Sequence, residues 1–265
     1  VTPHALGTID SEGRFVADGR FGGVGTVEVQ AEGFTASAGI RVRLESVVFL
    51  PGTSAATPAR FDVTPTLDPA RAPTLLYPLD GAVMPQNVYP ADIQWESSTE
   101  GDVYRVRIEK PNARLEAYLV AERGCRSGWL AEAGAWRQVA QTDPDSPAEF
   151  TVERLDVASG ERLVSAPVRV RFARAALSGA VYYWDIVAGR IIRIDDGTAQ
   201  RQAFMPSPPL GCVGCHSVST SGRYMAGRFG GGDNVGSVFD LTQDLSGDPP
   251  PLEFPIDNSI RWWFS

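Results

Sequence analysis

Short alternating apolar–polar runs, each closed off by Gly, Pro, Asp or Ser, constrain this chain more than any other feature. In 24–31 the order Thr26-Val27-Glu28-Val29-Gln30 alternates with period two, and 15–17 and 36–44 read the same way. Period two places every second side chain on one face of a sheet, whereas a helix needs apolar residues three and four apart. Helical periodicity is scarce, and 27 Gly and 20 Pro in 265 residues supply the turns that many short strands need. The expected fold class is all-β, in several modules.

The runs fall into four stretches. Residues 1–48 read as a partial β domain, with Gly19, Gly22, Gly23 and Gly25 marking its turns. Residues 49–73 carry Pro51, Pro58, Pro65, Pro69 and Pro73 among Ala and Thr, the composition of an extended linker on a surface, where Phe61 and Val63 can pin it to a neighbour. Residues 74–176 read as a β-sandwich, with strands at 75–77, 93–95, 104–108, 117–120, 136–140, 150–155 and 168–172, one short helix within 122–135, and Trp95 in its core. Residues 177–265 hold further strands around a Pro-rich loop.

That loop leads into Cys212-Val213-Gly214-Cys215-His216. Cys-x-x-Cys-His is the pattern of covalent c-type haem attachment: two thiols add to the two vinyl groups along one porphyrin edge, and the adjacent imidazole becomes an axial ligand of the iron. The pattern alone leaves alternatives. Cys-x-x-Cys also serves as half of a zinc site, as a redox dithiol or as a disulfide. Zinc takes about four ligands, and with three Cys and two His in the whole chain a Cys/His site would have to recruit Cys125 or His4. A thioredoxin-type dithiol opens a helix after a strand, yet here Pro206, Pro208, Pro209 and Gly211 precede the motif and Ser/Thr residues follow it.

The expected cofactor is therefore one covalent haem c, held by Cys212, Cys215 and His216. For the sixth iron position Met205 is the first candidate, seven residues before Cys212, then His4, then an open or water-bound site. A turn at Thr220-Ser221-Gly222 sets Met225 beside Ser217, on the same side of the ring as His216, which counts against it. Tyr182, Tyr183, Trp184 and Phe204 are candidate haem packers or plain strand core, and Arg223 or Arg228 candidate partners for haem propionates or solvated side chains. Loop 230–234, Gly-Gly-Gly-Asp-Asn, reads as a turn. Cys125, between Arg123 and Arg126, reads as a bystander thiol.

Three regions carry resemblances. Gly7-Thr8-Ile9-Asp10 and Gly13-Arg14-Phe15-Val16-Ala17, with the Val-rich strands after them, are similar to the second half of a bacterial immunoglobulin-like repeat. The sandwich around Trp95 resembles a fibronectin type III domain. Ser219-Thr220-Ser221-Gly222-Arg223-Tyr224-Met225-Ala226, followed by Val238-Phe239-Asp240-Leu241, resembles a blade of a TolB-type or WD40-like β-propeller over about 180–245. Exported proteins of high-GC bacteria, myxobacteria in particular, look similar in carrying Cys-x-x-Cys-His just before such a blade. The resemblance implies immunoglobulin-like and fibronectin-like sandwiches followed by a partial propeller with the haem loop. A propeller needs at least about four blades, and the 88 residues from Ser178 hold about two. The chain is expected to continue past Arg261-Trp262-Trp263-Phe264-Ser265, or Trp262 and Trp263 to be covered by another subunit.

Charge and composition narrow the function. A net charge of −8 argues against a nucleic-acid partner, and no apolar run approaches the about 18–20 residues of a membrane-spanning helix. Covalent haem is attached outside the cytoplasm, so the expected location is periplasmic or extracellular. The expected activity is electron transfer to a redox partner protein, a carrier rather than a catalyst. The alternative is a non-enzymatic surface or binding module in which Cys-x-x-Cys is a disulfide or metal site.

Overall fold

The computed structural model describes residues 6–96, 99–121, 127–205, 214–228, 236–245, 247 and 250–253, and of Gly214, Cys215 and Arg228 the backbone alone. The chain divides into two compact units, Val1–Ala176 and Leu177–Ser265. It is mostly β, as the alternation predicts, and no helix is long and apolar enough to cross a membrane among the described residues.

The first unit opens with a ribbon of β1 (Gly7–Ile9) and β2 (Phe15–Ala17). A hairpin of two nine-residue strands follows, β3 (Gly23–Ala31) and β4 (Phe34–Val42). Its two-residue turn, Glu32 (φ 48) and Gly33 (φ 83), has positive φ at both positions, which matches the twist of the flanking strands. Then come β5 (Leu44–Phe49), a 3-10 turn at Pro58–Phe61, β6 (Pro65–Thr66), β7 (Thr74–Tyr77), β8 (Val83–Pro85), β9 (Asp92–Glu96), β10 (Val103–Lys110), β11 (Ala113–Val120) and β12 (Ser127–Leu130). Helix α1 (Ala133–Gln141), β13 (Ala148–Leu155), β14 (Arg162–Val164) and β15 (Val168–Ala173) complete the unit. The central sheet runs β5-β11-β10-β13-β14-β6, with β15 joining β13 and β8, and a second sheet runs β12-β9-β7.

Both faces of the central sheet are covered. On β10, Tyr104, Val106 and Ile108 point into an apolar core shared with Trp95, Trp129 and Trp136 from the second sheet and α1. Burial on this scale, at about 25 cal/mol per Å2 of apolar surface, is the main stabilising contribution. The alternate residues, Val103, Arg105 and Arg107, face a smaller cluster that contains Phe61 and Tyr118. There 50–63 is held against the sheet by the buried Phe61 ring and by hydrogen bonds. Phe61 is 1% exposed and meets the Tyr118 ring edge-on at 5.6 Å. Arg162 donates to the Phe61 and Val63 carbonyls, each at 2.9 Å. Farther along, β6 pairs parallel with β14. Likewise β5 spans residue 48 and pairs parallel with β11, so the expected boundary there falls inside a strand of the central sheet.

One secondary-structure expectation is corrected. Residues 136–140 lie in α1, not in a strand; that helix starts at Ala133, at the end of the segment expected to hold one, and the segment also contributes β12, while 122–126 lie outside the described residues. Ala135, Trp136, Val139 and Ala140 are buried. That one-four-five spacing marks one face of a helix, and packing against Phe150 and Phe172 settles the choice for so short a segment.

The second unit contains two antiparallel three-stranded sheets. β16 (Ala180–Asp185), β17 (Arg190–Asp195) and β18 (Gln202–Met205) form one. β19 (Gly214–Val218), β20 (Tyr224–Arg228) and β21 (Gly236–Asp240) form the other. Ile191 and Met205 from the first sheet and Met225 and Phe239 from the second share a buried apolar cluster. The described residues show no closed ring of blades.

Candidate functional site

The hairpin β19–β20 fixes the end of the Cys-x-x-Cys-His motif. Its turn forms where Thr220-Ser221-Gly222 predicts it. Gly222, at φ +71, donates to the Ser219 carbonyl at 2.8 Å, and the Ser219 hydroxyl accepts from the Tyr224 amide at 3.0 Å. From that turn the ladder runs Val218↔Met225 and Ser217↔Ala226, then jumps to Gly214↔Arg228. Three steps along β19 match two along β20, so one extra residue sits at Cys215–His216. This is a β-bulge, a device that bends a strand and re-aims its side chains.

His216 is half-buried, and its Nε2 lies 3.2 Å from the Tyr182 carbonyl oxygen on β16. A carbonyl only accepts, so Nε2 is the donor in this contact. The histidine thus ties the two sheets of the unit together. Tyr182 packs edge-on against Phe204 at 4.9 Å, and both rings lie on the cluster that holds Met205 and Met225. The Arg193 guanidinium stands 5.9 Å from the Tyr182 ring centre and 6.0 Å from that of Phe204.

Of the residues singled out in the sequence, the fold brings together His216, Tyr182, Phe204 and, through the shared cluster, Met205. Met205 ends β18 opposite Ile191 and is fully buried, as is Met225. Trp184 is exposed, and Tyr183 faces the Arg201 guanidinium at 5.9 Å. Arg223 is committed elsewhere: its Nε and Nη2 donate to Asp240 Oδ2 at 3.2 and 2.9 Å. The Thr242 hydroxyl bond and then Arg223 hold the Asp240 carboxyl down at about 2, so this pair is ionised across the neutral range. Cys212, Cys125, His4, loop 230–234 and the Trp262-Trp263 end lie outside the described residues, as do the side chains of Cys215 and Arg228.

The donor set suits a c-type haem chemically. It consists of two thiols at the required spacing and a half-buried imidazole bonded to the Tyr182 carbonyl. The Tyr182 carbonyl and the bulge are the parts that sequence reasoning missed. Neither has a residue signature, because any residue supplies a carbonyl and a bulge is visible only against its partner strand. Two clefts in the first unit, of about 480 and 450 Å3, are lined by 65–75 with 164–168 and by Arg20 with α1, and hold none of the motif residues. No known protein family matches the chain, and neither a curated protein nor a solved structure is significantly similar to it.

Proposed function

We propose that this chain is an exported c-type cytochrome that transfers electrons through one haem held by Cys212, Cys215 and His216. The observation that carries the reading is the placement of His216 on a bulged strand, at the end of the Cys-x-x-Cys-His motif. A bulge next to a site re-aims a side chain out of the regular ladder. Bound there, haem supplies an iron that changes oxidation state by one electron.

The chain's own residues then have defined roles. Cys212 and Cys215 hold the porphyrin edge. The Tyr182 carbonyl orients the His216 ring, as backbone carbonyls do for metal-binding histidines. Tyr182, Phe204 and the apolar cluster exclude water. Met205 is the candidate sixth ligand, and thioether ligation raises the potential relative to two imidazoles. Covalent haem is attached outside the cytoplasm, so the reading implies a periplasmic or extracellular protein; the remaining modules, read as immunoglobulin-like and fibronectin-like sandwiches with a partial propeller, would hold the haem within reach of a redox partner protein.

The test is the pyridine haemochrome spectrum of protein matured in a host competent for haem attachment, with haem retained through denaturing electrophoresis. Cys212→Ala and Cys215→Ala together are expected to abolish the covalent band. A colourless wild-type protein from that host overturns the reading. It would favour the second one, a surface or binding module with a Cys212–Cys215 disulfide, in which the His216–Tyr182 contact is simply a polar tie between sheets.

A further inference from the structure

Asp143 follows α1 and precedes Pro144, and its backbone stands at φ 43. That is the left-handed region, which favours glycine, and a residue before proline is further restricted toward extended backbone. Glu32, the other non-glycine residue with positive φ among those described, sits in a two-residue hairpin turn that demands it. Asp143 lies between a helix and a strand, where no hairpin makes that demand. Strained backbone persists where surrounding contacts hold it, and it gathers at reactive sites.

The contacts that hold Asp143 converge on one peptide bond. Its carbonyl oxygen accepts from the Ser146 amide at 2.9 Å and from Lys110 Nζ at 3.3 Å, while the shorter bond of Lys110 goes to the Thr142 carbonyl at 2.6 Å. Two donors on one carbonyl oxygen, one of them a buried cation, form an arrangement that stabilises an oxyanion. The Asp143 carboxylate accepts from the main-chain and side-chain amides of Asn112, each at 2.7 Å, so both of its oxygens are fixed in place. Attack by either oxygen on the carbonyl carbon of the same residue closes a five-membered ring, with no loss of translational freedom. Asp143 and Pro144 are half-buried, so water reaches them.

We propose that the chain cleaves itself between Asp143 and Pro144. The Asp143 carboxylate adds to its own main-chain carbonyl carbon, and the negative charge that develops on the oxygen is held by Ser146 and Lys110. The C–N bond to Pro144 then breaks, its electron pair stays on the proline nitrogen, and that nitrogen takes a proton from water and leaves as a secondary amine. Water opens the cyclic anhydride left on Asp143. Net, one water is consumed, one peptide bond becomes a carboxylate and an ammonium group, and no oxidant or reductant takes part. Cleavage turns the carbonyl facing Lys110 into a carboxylate, which gives the buried ammonium an opposite charge. The break lies between β10 and β13, whose seven-pair ladder bridges the two pieces, so the cut chain stays together. The inference stands independently of the haem reading.

Purified full chain held near neutral pH tests it. A denaturing gel is expected to show two fragments, one ending at Asp143 and one beginning at Pro144 by mass, formed at a rate independent of protein concentration. Asp68–Pro69 in the same chain is the control for the ordinary lability of Asp–Pro bonds. In the folded chain 143–144 is expected to be cut at least about tenfold faster than 68–69, a preference that disappears in urea. Asp143→Gly, which suits the backbone and removes the nucleophile, is expected to abolish the cut, and Lys110→Met to slow it about tenfold or more. A chain that stays intact, equal cutting of the two bonds in the folded state, or fragments that persist in Asp143→Gly overturns the proposal.

Discussion

Arg105 and Glu153 face each other across β10 and β13, with Arg105 Nη2 donating to both carboxylate oxygens at 2.8 and 2.7 Å, and their side chains are 8% and 2% exposed. Arg162 adds a bond at 2.6 Å and Arg107 an ion pair at 3.6 Å, so one buried carboxylate serves three guanidinium groups. The desolvation cost of such charges is offset only while all of them are paired. Glu153→Ala is therefore expected to lower unfolding free energy by about 3–5 kcal/mol. Arg174→Ala, in the exposed pair with Asp145, is expected to cost under about 1 kcal/mol. Urea midpoints at matched slope measure both.

Lys110, the only lysine, is buried with its Nζ donating to the Thr142 carbonyl at 2.6 Å and the Asp143 carbonyl at 3.3 Å. Burial pushes its ammonium down to about 8, against the pull of the Asp143 charge. Between about 8 and the ordinary 10.5 the unfolded chain holds a proton that the folded one has lost. Stability from this group therefore rises with pH through that window, since the state binding more protons is the unfolded one. Urea midpoints across the window are expected to climb in wild type, and the contribution to disappear in Lys110→Met.

Asp240 behaves in the opposite sense. With its carboxyl held at about 2 by Thr242 and Arg223, below the ordinary 3.8, its contribution is present above 3.8 and is lost as pH falls through 2. Asp240→Asn is expected to remove this acid dependence. Amide exchange in β20 and β21 on acid titration reads it directly.

Met205 packs in an apolar cluster, so Met205→Leu, similar in volume, is expected to cost less than about 1.5 kcal/mol. On the proposed role of Met205 as sixth ligand, the same change in haem-bearing protein is expected to alter the optical spectrum, because a hydrocarbon cannot replace a ligating sulfur. A spectrum identical to wild type removes Met205 from the iron.

The strand content and most strand positions were legible because period two is written locally, residue by residue. The turn at Thr220-Ser221-Gly222 was legible for the same reason. What escaped was long-range. The parallel pairings of β5 with β11 and β6 with β14 have no hairpin turn to announce them, so 49–73 read as lying on a surface, but the strands it pairs with were not legible. Residues 136–140 are too few for periodicity to choose helix over strand, and the aromatic contacts of Trp136 made the choice. Arg223 looked available to a ligand until Asp240, seventeen residues away, was seen to engage it.

The parallel placement of β5 also bears on the order in which the molecule comes together in time. Leu44 ends opposite Ala113 and Phe49 opposite Tyr118, although β10 and β11 meet through a turn of two residues. Loop-closure entropy makes the short contact form early and the distant one late. The β10–β11 ribbon is thus the seed on which β5 docks, and the Phe61 segment after it. Until β5 arrives, the outer edge of β11 stands open, so early in folding, at high concentration, the nascent sheet competes for strands from other chains.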